Sequence, residues 1–203
     1  SFSSLVDGYA KHQLVAPGLL GRAMCHRQAK KYQQAIDDVV AFLELNPSET
    51  DKLDGFYERG LAEVALKQHV AATKSFEALL AAKADFSNTD TVLYELAWAY
   101  RSLEKIDQST DIFNRLAKEY PNSSFIADTC FRLGEDQYQQ KKYAAAIAQY
   151  QKGIGQKPTG ELQENLLHKL GWAYYQQKKF TEALEQFNEQ LKRSPQGRLF
   201  HDG

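Results

Sequence analysis

The most constraining feature of this sequence is a pattern of small, aromatic and proline residues that recurs every 37 residues. One column of the pattern holds small residues, Ala35, Ala72, Ser109, Ala146 and Ala183. A second column is mostly aromatic, with Val39, Phe76, Phe113, Tyr150 and Phe187. A third column contains Pro47, Ala84, Pro121, Pro158 and Pro195. Repetition at this length is typical of a solenoid, in which each unit buries its apolar face only against its neighbours.

The period divides the chain into copies of one unit without an internal domain boundary. We expect five copies, at residues 16–52, 53–89, 90–126, 127–163 and 164–200, with the second helix of a truncated copy at 1–15 and a tail at 201–203. Terminal copies of a solenoid normally carry a polar outer face, and neither end of this sequence shows one. We therefore expect the native array to continue on both sides.

Each copy has the pattern of two antiparallel helices. Apolar residues recur at helical spacing in the first helix, and polar turns such as Gln140–Tyr143 are short enough to force antiparallel neighbours. A further column contains only alanine or glycine: Ala23, Gly60, Ala97, Gly134 and Gly171. Because small residues inside a helix lower its intrinsic stability, this column predicts a close crossing with the second helix. We expect the Ala/Ser column of the second helix to be its neighbour.

Composition and motifs exclude several other classes of function. The chain has 25 Lys and Arg against 26 Asp and Glu, so its net charge of −1 gives no reason to expect a nucleic acid or an anionic membrane as partner. No apolar stretch approaches the about 20 residues of a spanning helix. Cys25 and Cys130 lie in different copies, so we expect two unbonded packing residues.

No signature of catalysis or of metal binding appears in the sequence. Phosphate-binding, zinc-protease and serine-hydrolase motifs are absent, and the five histidines occur singly at different positions of the repeat. Gly153-Ile154-Gly155 lies where a second helix would end, so it is an ordinary helix stop. We therefore predict a protein that is not an enzyme and has no catalytic residue, cofactor or metal.

Leu167, Leu170, Gly171, Tyr174, Ala183, Phe187 and Pro195 together resemble the tetratricopeptide repeat family, and the resemblance covers nearly the whole chain. Arg22 and Arg59 depart from it, because leucine is usual at their position. The usual period is 34 residues, and the longer period with phrases such as Tyr120–Ser124 is similar to bacterial envelope members. Examples are the Tol-Pal-associated periplasmic coordinator and the lipoprotein of the β-barrel assembly machine. The fold that this resemblance implies is an all-α, α-solenoid, right-handed superhelix of antiparallel helix hairpins.

The resemblance also implies a concave wall built from one face of each first helix. In this chain that face would carry the partner-binding residues Tyr57, Tyr94, Trp98, Arg101, Phe131, Tyr138, His168, Trp172 and Tyr175. Because Trp, Tyr and Arg dominate binding hot spots, we predict an aromatic groove for an extended or helical peptide in the last three copies. Trp98 and Trp172 would be its anchors. In the alternative interpretation, the same rings pack against neighbouring first helices.

The function that follows is a non-catalytic scaffold that binds a protein or peptide in the groove, within a larger bacterial protein or assembly. Two alternatives stay open, a recruiting or regulatory arm of a larger enzyme and a self-associating structural array. Lysines recur at the hairpin turns, where they would form either a solvated edge or a docking edge for an acidic protein: Lys30, Lys31, Lys67, Lys105, Lys141, Lys142, Lys178 and Lys179. The periplasm or cell envelope is the favoured location.

Overall fold

The computed structural model of the protein describes residues 14–82 and 85–193. These residues form ten α-helices and no strand. The helices are α1 (Val15–Gln28), α2 (Tyr32–Glu44), α3 (Glu49–Ala65), α4 (His69–Ala81), α5 (Thr89–Ser102), α6 (Ile106–Glu119), α7 (Ile126–Gln139), α8 (Tyr143–Gly155), α9 (Gly160–Gln176) and α10 (Phe180–Arg193). The helix predicted for the truncated copy at 1–15 lies outside the described residues, except for its last two positions, 14 and 15. Also outside them are Ala84, Pro195 and the tail at 201–203.

Contacts divide the chain into two compact units, residues 1–112 and 113–203. In unit 1, α1 packs on α2 and α3 on α4, while α3 also contacts α2 and α5 contacts α4. In unit 2, α7 packs on α8, α9 on α10, and α9 on α8. Each unit is therefore a stack of antiparallel hairpins, which confirms the predicted all-α solenoid fold. The division of the chain into five copies stays a prediction.

The hairpins keep the period of the sequence. The first helices end at Gln28, Ala65, Ser102, Gln139 and Gln176, and the second helices begin at Tyr32, His69, Ile106, Tyr143 and Phe180. The starts of the first helices are less regular, because α3 and α9 contain 17 residues whereas α1, α5 and α7 contain 14. The regular ends mean that residues one period apart take equivalent places on their hairpins.

The same three-residue turn joins the helices of every described hairpin. In the hairpin of α7 and α8, the Lys141 N–H donates to the Tyr138 carbonyl at 2.9 Å and the Lys142 N–H donates to the Gln137 carbonyl at 2.9 Å. This pair of bonds is a Schellman motif, whose central residue takes the left-handed conformation. That residue has a φ of 59° or 60° in all five turns and is never glycine: Lys30, Lys67, Glu104, Lys141 and Lys178.

The column of small residues faces the aromatic column of the second helix. An ideal Cβ on Gly60 would lie 2.4 Å from Cε1 of Phe76, and one on Gly134 would lie 2.4 Å from Cε1 of Tyr150. Gly171 approaches Phe187 in the same way, at 2.6 Å. The predicted close crossing is confirmed, but its expected neighbour is wrong. The atoms nearest to a Cβ added at these glycines belong to large rings rather than to the Ala/Ser column, because the missing side chain leaves room for the ring.

Charged side chains fill the hairpin positions where Arg22 and Arg59 replace the expected leucine. The Arg22 guanidinium donates hydrogen bonds to both carboxylate oxygens of Asp38 on α2, and the shortest are Nη2 to Oδ1 at 2.6 Å and Nε to Oδ2 at 2.9 Å. Arg59 Nε donates to Glu63 Oε1 at 2.7 Å, and Ser75 Oγ donates to Glu63 Oε2 at 2.7 Å. Arg22 therefore contacts the second helix of its hairpin directly, whereas Arg59 pairs within α3 with Glu63, and Glu63 makes the hydrogen bond to α4.

We predict that Gly60→Ala destabilises the protein by about 1–3 kcal/mol, because the added methyl group overlaps the fully buried ring of Phe76. Urea unfolding measures the loss. Gly155→Ala is the control, since nothing lies within 4 Å of the Cβ that it adds. The double variant Gly60→Ala/Phe76→Val, which reproduces the pairing of Ala23 with Val39, should lose less than the sum of its two single variants. Additive losses would contradict the assigned contact.

We predict that Arg59→Leu destabilises the protein by about 3–5 kcal/mol, although leucine is the usual residue, because it leaves the buried Glu63 carboxylate without its cation. Arg59→Leu/Glu63→Gln should recover part of this loss, since a neutral amide can keep the hydrogen bond with Ser75. Thermal unfolding of both variants checks this. If the single variant is as stable as the wild type, Arg59 does not compensate the charge of Glu63.

Candidate protein-binding surface

The structure brings four of the predicted binding residues together within unit 2. Tyr138 lies near the end of α7, and His168, Trp172 and Tyr175 lie along α9. A cleft of about 370 Å³ is lined by Tyr138, His168, Lys169, Trp172 and Gln176. We call these five residues the aromatic cleft. Because α7 and α9 are the first helices of their hairpins and contact each other, the shared period places their side chains side by side.

The rings at this cleft differ in how much of their surface reaches solvent. The Trp172 side chain is 39% exposed and Tyr175 is 50% exposed, and their ring centroids lie 5.6 Å apart in an edge-to-face arrangement. Tyr138 is half-buried against Tyr143, with centroids 5.2 Å apart. Burial raises the pKa of Tyr138 above its ordinary value of 10.0, so its hydroxyl keeps its proton at neutral pH. The cleft therefore combines a fixed tyrosine with an accessible indole ring.

A hydrogen bond fixes the indole of Trp172. Its Nε1–H donates to Nε2 of His168 at 3.1 Å, and both rings pack edge-to-face against Phe187 of α10. His168 also forms a hydrogen bond with Gln190, a buried residue of α10. Because the indole N–H is already occupied, Trp172 offers mainly its apolar ring surface to a ligand.

Burial lowers the pKa of His168 from its ordinary value of 6.5, and the positive charge of Lys169 acts in the same direction. The hydrogen bond with Gln190 and the charge of Glu135 act in the opposite direction without cancelling the effect of burial. His168 is therefore neutral at pH 7, which is the state that accepts a hydrogen bond from Trp172.

The charge that lines the aromatic cleft is paired. Lys169 Nζ lies 3.2 Å from Oε2 of Glu135, and the other oxygen of Glu135 accepts a hydrogen bond of 2.8 Å from the Tyr150 hydroxyl. With this charge neutralised, the cleft is suited to an apolar or aromatic side chain rather than to an isolated ion.

The predicted binding residues of unit 1 lie on α3 and α5. Tyr57 is half-buried, with its ring 5.3 Å from that of Phe86, and it packs against the core of this unit. Tyr94 and Trp98 are half-buried on α5 with centroids 6.3 Å apart, and Arg101 follows on the same helix. Phe86 belongs to the same predicted copy as Tyr57, whereas Thr91, which forms a hydrogen bond with Tyr57, lies on the next first helix, α5. The hydrogen bond with Thr91 is the contact that the alternative interpretation expects.

Phe131 was predicted as a groove residue, and the structure corrects this. Its side chain is only 6% exposed and belongs to a core cluster with Tyr150, Leu166 and Leu170. The Arg132 guanidinium also lies 4.9 Å from its ring centroid. The reason is that the first helix of the next hairpin covers this position, so a residue of the concave face becomes part of the interface between copies.

Other residues contribute to surfaces that the sequence did not single out. Lys169 and Gln176 line the aromatic cleft, and no periodic signal marks them. In unit 1, a cleft of about 510 Å³ is lined by Arg59, Lys67, Gln68, His69, Val70, Ala71, Lys74 and Leu103. It includes Lys67 of the predicted basic edge. Docking of an acidic protein on that edge stays a prediction.

The cysteines are both free, as expected, and the burial of Cys130 raises the pKa of its thiol. Cys25 is exposed on α1, so its expected role as a packing residue is wrong. Within residues 14–82 and 85–193, no cluster of three or more His, Cys, Asp or Glu side chains is arranged to hold a metal ion. The same residues contain no helix with the length and hydropathy needed to span a bilayer.

The helix hairpins and the face they present define a tetratricopeptide repeat protein, and a tetratricopeptide repeat model matches residues 131–198. The model of the YfiO family, described as outer membrane lipoprotein, matches residues 23–135, which is more than half of the chain. The chain therefore belongs to the YfiO outer membrane lipoprotein family. The predicted resemblance to envelope members of the tetratricopeptide repeat family is confirmed.

Solved structures with the same fold span most of this chain. YrrB, described as a TPR protein with an unusual peptide-binding site, has 18% identity and a TM-score of 0.75, over 98% of this chain and 95% of its own. A MamA structure has 16% identity and a TM-score of 0.74, over 95% and 98% of the two chains. The C-terminal part of a TPR repeat-containing protein from Cytophaga hutchinsonii has 18% identity and a TM-score of 0.64, over 87% and 65%. A search of curated proteins gives no significant match.

We predict that acidification destabilises the hairpin of α9 and α10 through His168. Because the pKa of His168 is lower in the folded than in the unfolded chain, the unfolded chain binds more protons between the two values. The stability that His168 contributes is therefore complete above pH 6.5 and is lost as the pH falls from 6.5 through the folded pKa. Melting temperatures measured from pH 8 to pH 5 should fall more for the wild type than for His168→Asn. Parallel curves would contradict this assignment.

Proposed function

We propose that this chain is a protein-binding scaffold, and that the aromatic cleft of unit 2, with the adjacent Tyr175, holds a segment of a partner protein. The carrying observation is the exposure of Trp172 and Tyr175, at 39% and 50%, beside the half-buried Tyr138 and His168. Large rings that stay accessible on a rigid helix are favourable anchors, because they bury much apolar area at a small entropic cost.

The chemistry of the cleft supports an apolar or aromatic residue of the partner as its main contact. The indole N–H of Trp172 already bonds His168, and Lys169 is paired with Glu135. A free charge in the partner would gain no unpaired counter-ion among these groups, whereas a ring or an aliphatic side chain would gain contact with Trp172. Tyr94 and Trp98, which pair edge-to-face on α5, form a separate candidate contact within unit 1.

The bacterial cell envelope is the location that we propose, and the support is membership of a family described as outer membrane lipoprotein. YrrB is described as having a peptide-binding site, and the shared fold makes peptide binding a reasonable function to test here. A non-enzymatic role fits this membership. The recruiting-arm and self-associating alternatives stay predictions, as does the expectation of no nucleic-acid partner.

The test is photo-crosslinking in cells, followed by titration. A photo-reactive residue at position 175 of the full-length protein should capture a partner, whereas the same residue at position 185 on α10 should not capture it. A peptide made from the crosslinked segment should then bind the wild type. Trp172→Ala should weaken this binding about tenfold or more, as expected for the loss of an aromatic anchor.

Leu45→Ala serves as the matched control, because Leu45 is 47% exposed in unit 1. Circular dichroism and thermal unfolding separate binding from stability. The proposal fails if Trp172→Ala and Tyr175→Ala both bind the peptide as the wild type does. It also fails if their loss of affinity is fully explained by a lower melting temperature.

A further inference from the structure

The cleft of unit 1 lies where α4 begins and α5 ends. Lys67 belongs to the turn that precedes α4, and Val70 and Lys74 lie one helical turn apart on the same side of α4. Leu103 directly follows the last residue of α5. The volume of about 510 Å³ is in the usual range of ligand-binding clefts, which is about 300–1,000 Å³. We call this site the basic cleft.

The charge that lines the basic cleft is positive and only partly compensated. Arg59 is paired with Glu63, because its Nε lies 2.7 Å from a carboxylate oxygen of that residue. Lys67 and Lys74 are exposed, and neither ammonium group forms an ion pair with any of the described residues. The lining, as the structure describes it, includes no Asp or Glu. Two ammonium groups therefore share this cleft without a counter-ion from the described part of the chain.

The other hairpins carry no positive charge at the place of Lys74. The residues that occupy this place in the other second helices are Asp37, Asp111, Ala148 and Glu185. The hairpin of α3 and α4 is therefore the one whose turn lysine is accompanied by a second lysine at this place. Because aspartate occupies the same place in two other hairpins, lysine is not required there for the hairpin to form.

The basic cleft also contains an exposed apolar surface. Val70 is 57% exposed, and the half-buried Leu103 lines the same cleft. In three of the other four hairpins the place of Val70 holds a polar residue, namely Gln33, Asp107 or Thr181. A ligand that fits this cleft therefore has to offer an apolar group as well as negative charge, because an ion alone would leave the valine in water.

We propose that the basic cleft binds an acidic segment of a partner protein in which an aliphatic residue lies between Asp or Glu residues. The carboxylates pair with Lys67 and Lys74, and the aliphatic side chain covers Val70. An anionic membrane is a poorer match, because the net charge of −1 provides no overall attraction to it. This site goes beyond the proposed function, since it lies in unit 1 and shares no residue with the aromatic cleft.

The test uses the intact protein and a fluorescein-labelled peptide with the sequence Gly-Asp-Asp-Leu-Asp-Asp-Gly. Fluorescence anisotropy should show saturable binding, which weakens as the ionic strength rises from about 0.05 M to about 0.5 M because salt screens exposed charges. A second peptide, with asparagine in place of every aspartate, should bind at least about fivefold more weakly, since it offers the lysines no charge.

Charge reversal at the two lysines tests their role. Lys67→Asp and Lys74→Asp should each weaken binding at least about fivefold, because each replaces an attraction by a repulsion of similar size. Lys178→Asp is the matched control and should bind the peptide as the wild type does. Lys178 takes the place of Lys67 in its own turn, with a φ of 60° against 59°. Circular dichroism should show an unchanged fold for Lys74→Asp, since Asp37 and Asp111 occupy the equivalent place.

Val70→Gln tests the apolar contact, and it introduces the residue that Gln33 provides at the equivalent place. It should weaken binding of the leucine peptide at least about threefold, because an apolar contact is lost. For a peptide with serine in place of the leucine, Val70→Gln should cause no further loss. Such non-additive losses are expected only if the two side chains are in contact.

Several outcomes would overturn the inference. One is no saturable binding of the acidic peptide, and another is an equal loss of affinity for Lys178→Asp, which would assign binding to the whole lysine edge. Inorganic phosphate that displaces the peptide better than chloride of equal ionic strength would indicate a site for small anions. Phosphatidylglycerol vesicles that bind the wild type more tightly than Lys74→Asp would indicate a membrane. Failed crosslinking at position 175 would leave all these results unchanged, so the two proposals can fail separately.

Discussion

The contact between a glycine of the first helix and a large ring of the second helix is the constraint on which three of the hairpins depend. Gly60, Gly134 and Gly171 leave room for Phe76, Tyr150 and Phe187 at distances that no Cβ could share. Because the same contact and the same turn recur one period apart, equivalent residues take equivalent places on successive hairpins. This regularity is what gathers Tyr138, His168 and Trp172 into one cleft, although they lie on two helices.

The sequence was sufficient to predict the helices, their turns and the antiparallel pairing, because these depend on contacts that repeat at a fixed spacing. It placed Tyr138, His168 and Trp172 together for the same reason. It failed for Phe131, because periodicity identifies a face of a helix but not whether the next hairpin covers that face. It also missed how Arg22 and Arg59 are accommodated, since their partners Asp38 and Glu63 were not marked by any repeated pattern.

The two ways of filling the interior of a hairpin have different consequences for stability. Leu133 and Leu170 fill it with apolar side chains, whereas Arg22–Asp38 and Arg59–Glu63 fill the same place with charges that depend on each other. Leucine contacts tolerate substitution by other apolar residues of similar size. A buried charge tolerates the loss of its partner poorly, so the charged hairpins are more selective about the residues they accept.

The left-handed residue at each hairpin turn has a consequence for how this protein has been optimised. Glycine adopts this conformation without steric cost, yet the five positions hold four lysines and one glutamate, and each side chain costs about 1–2 kcal/mol there. Glycine would ease this strain at the expense of a more flexible unfolded chain. Long charged residues at the five turns therefore lower the folding free energy while they keep the tips of the hairpins soluble. In an engineered array based on this chain, substitutions at these positions could recover the lost folding free energy one turn at a time.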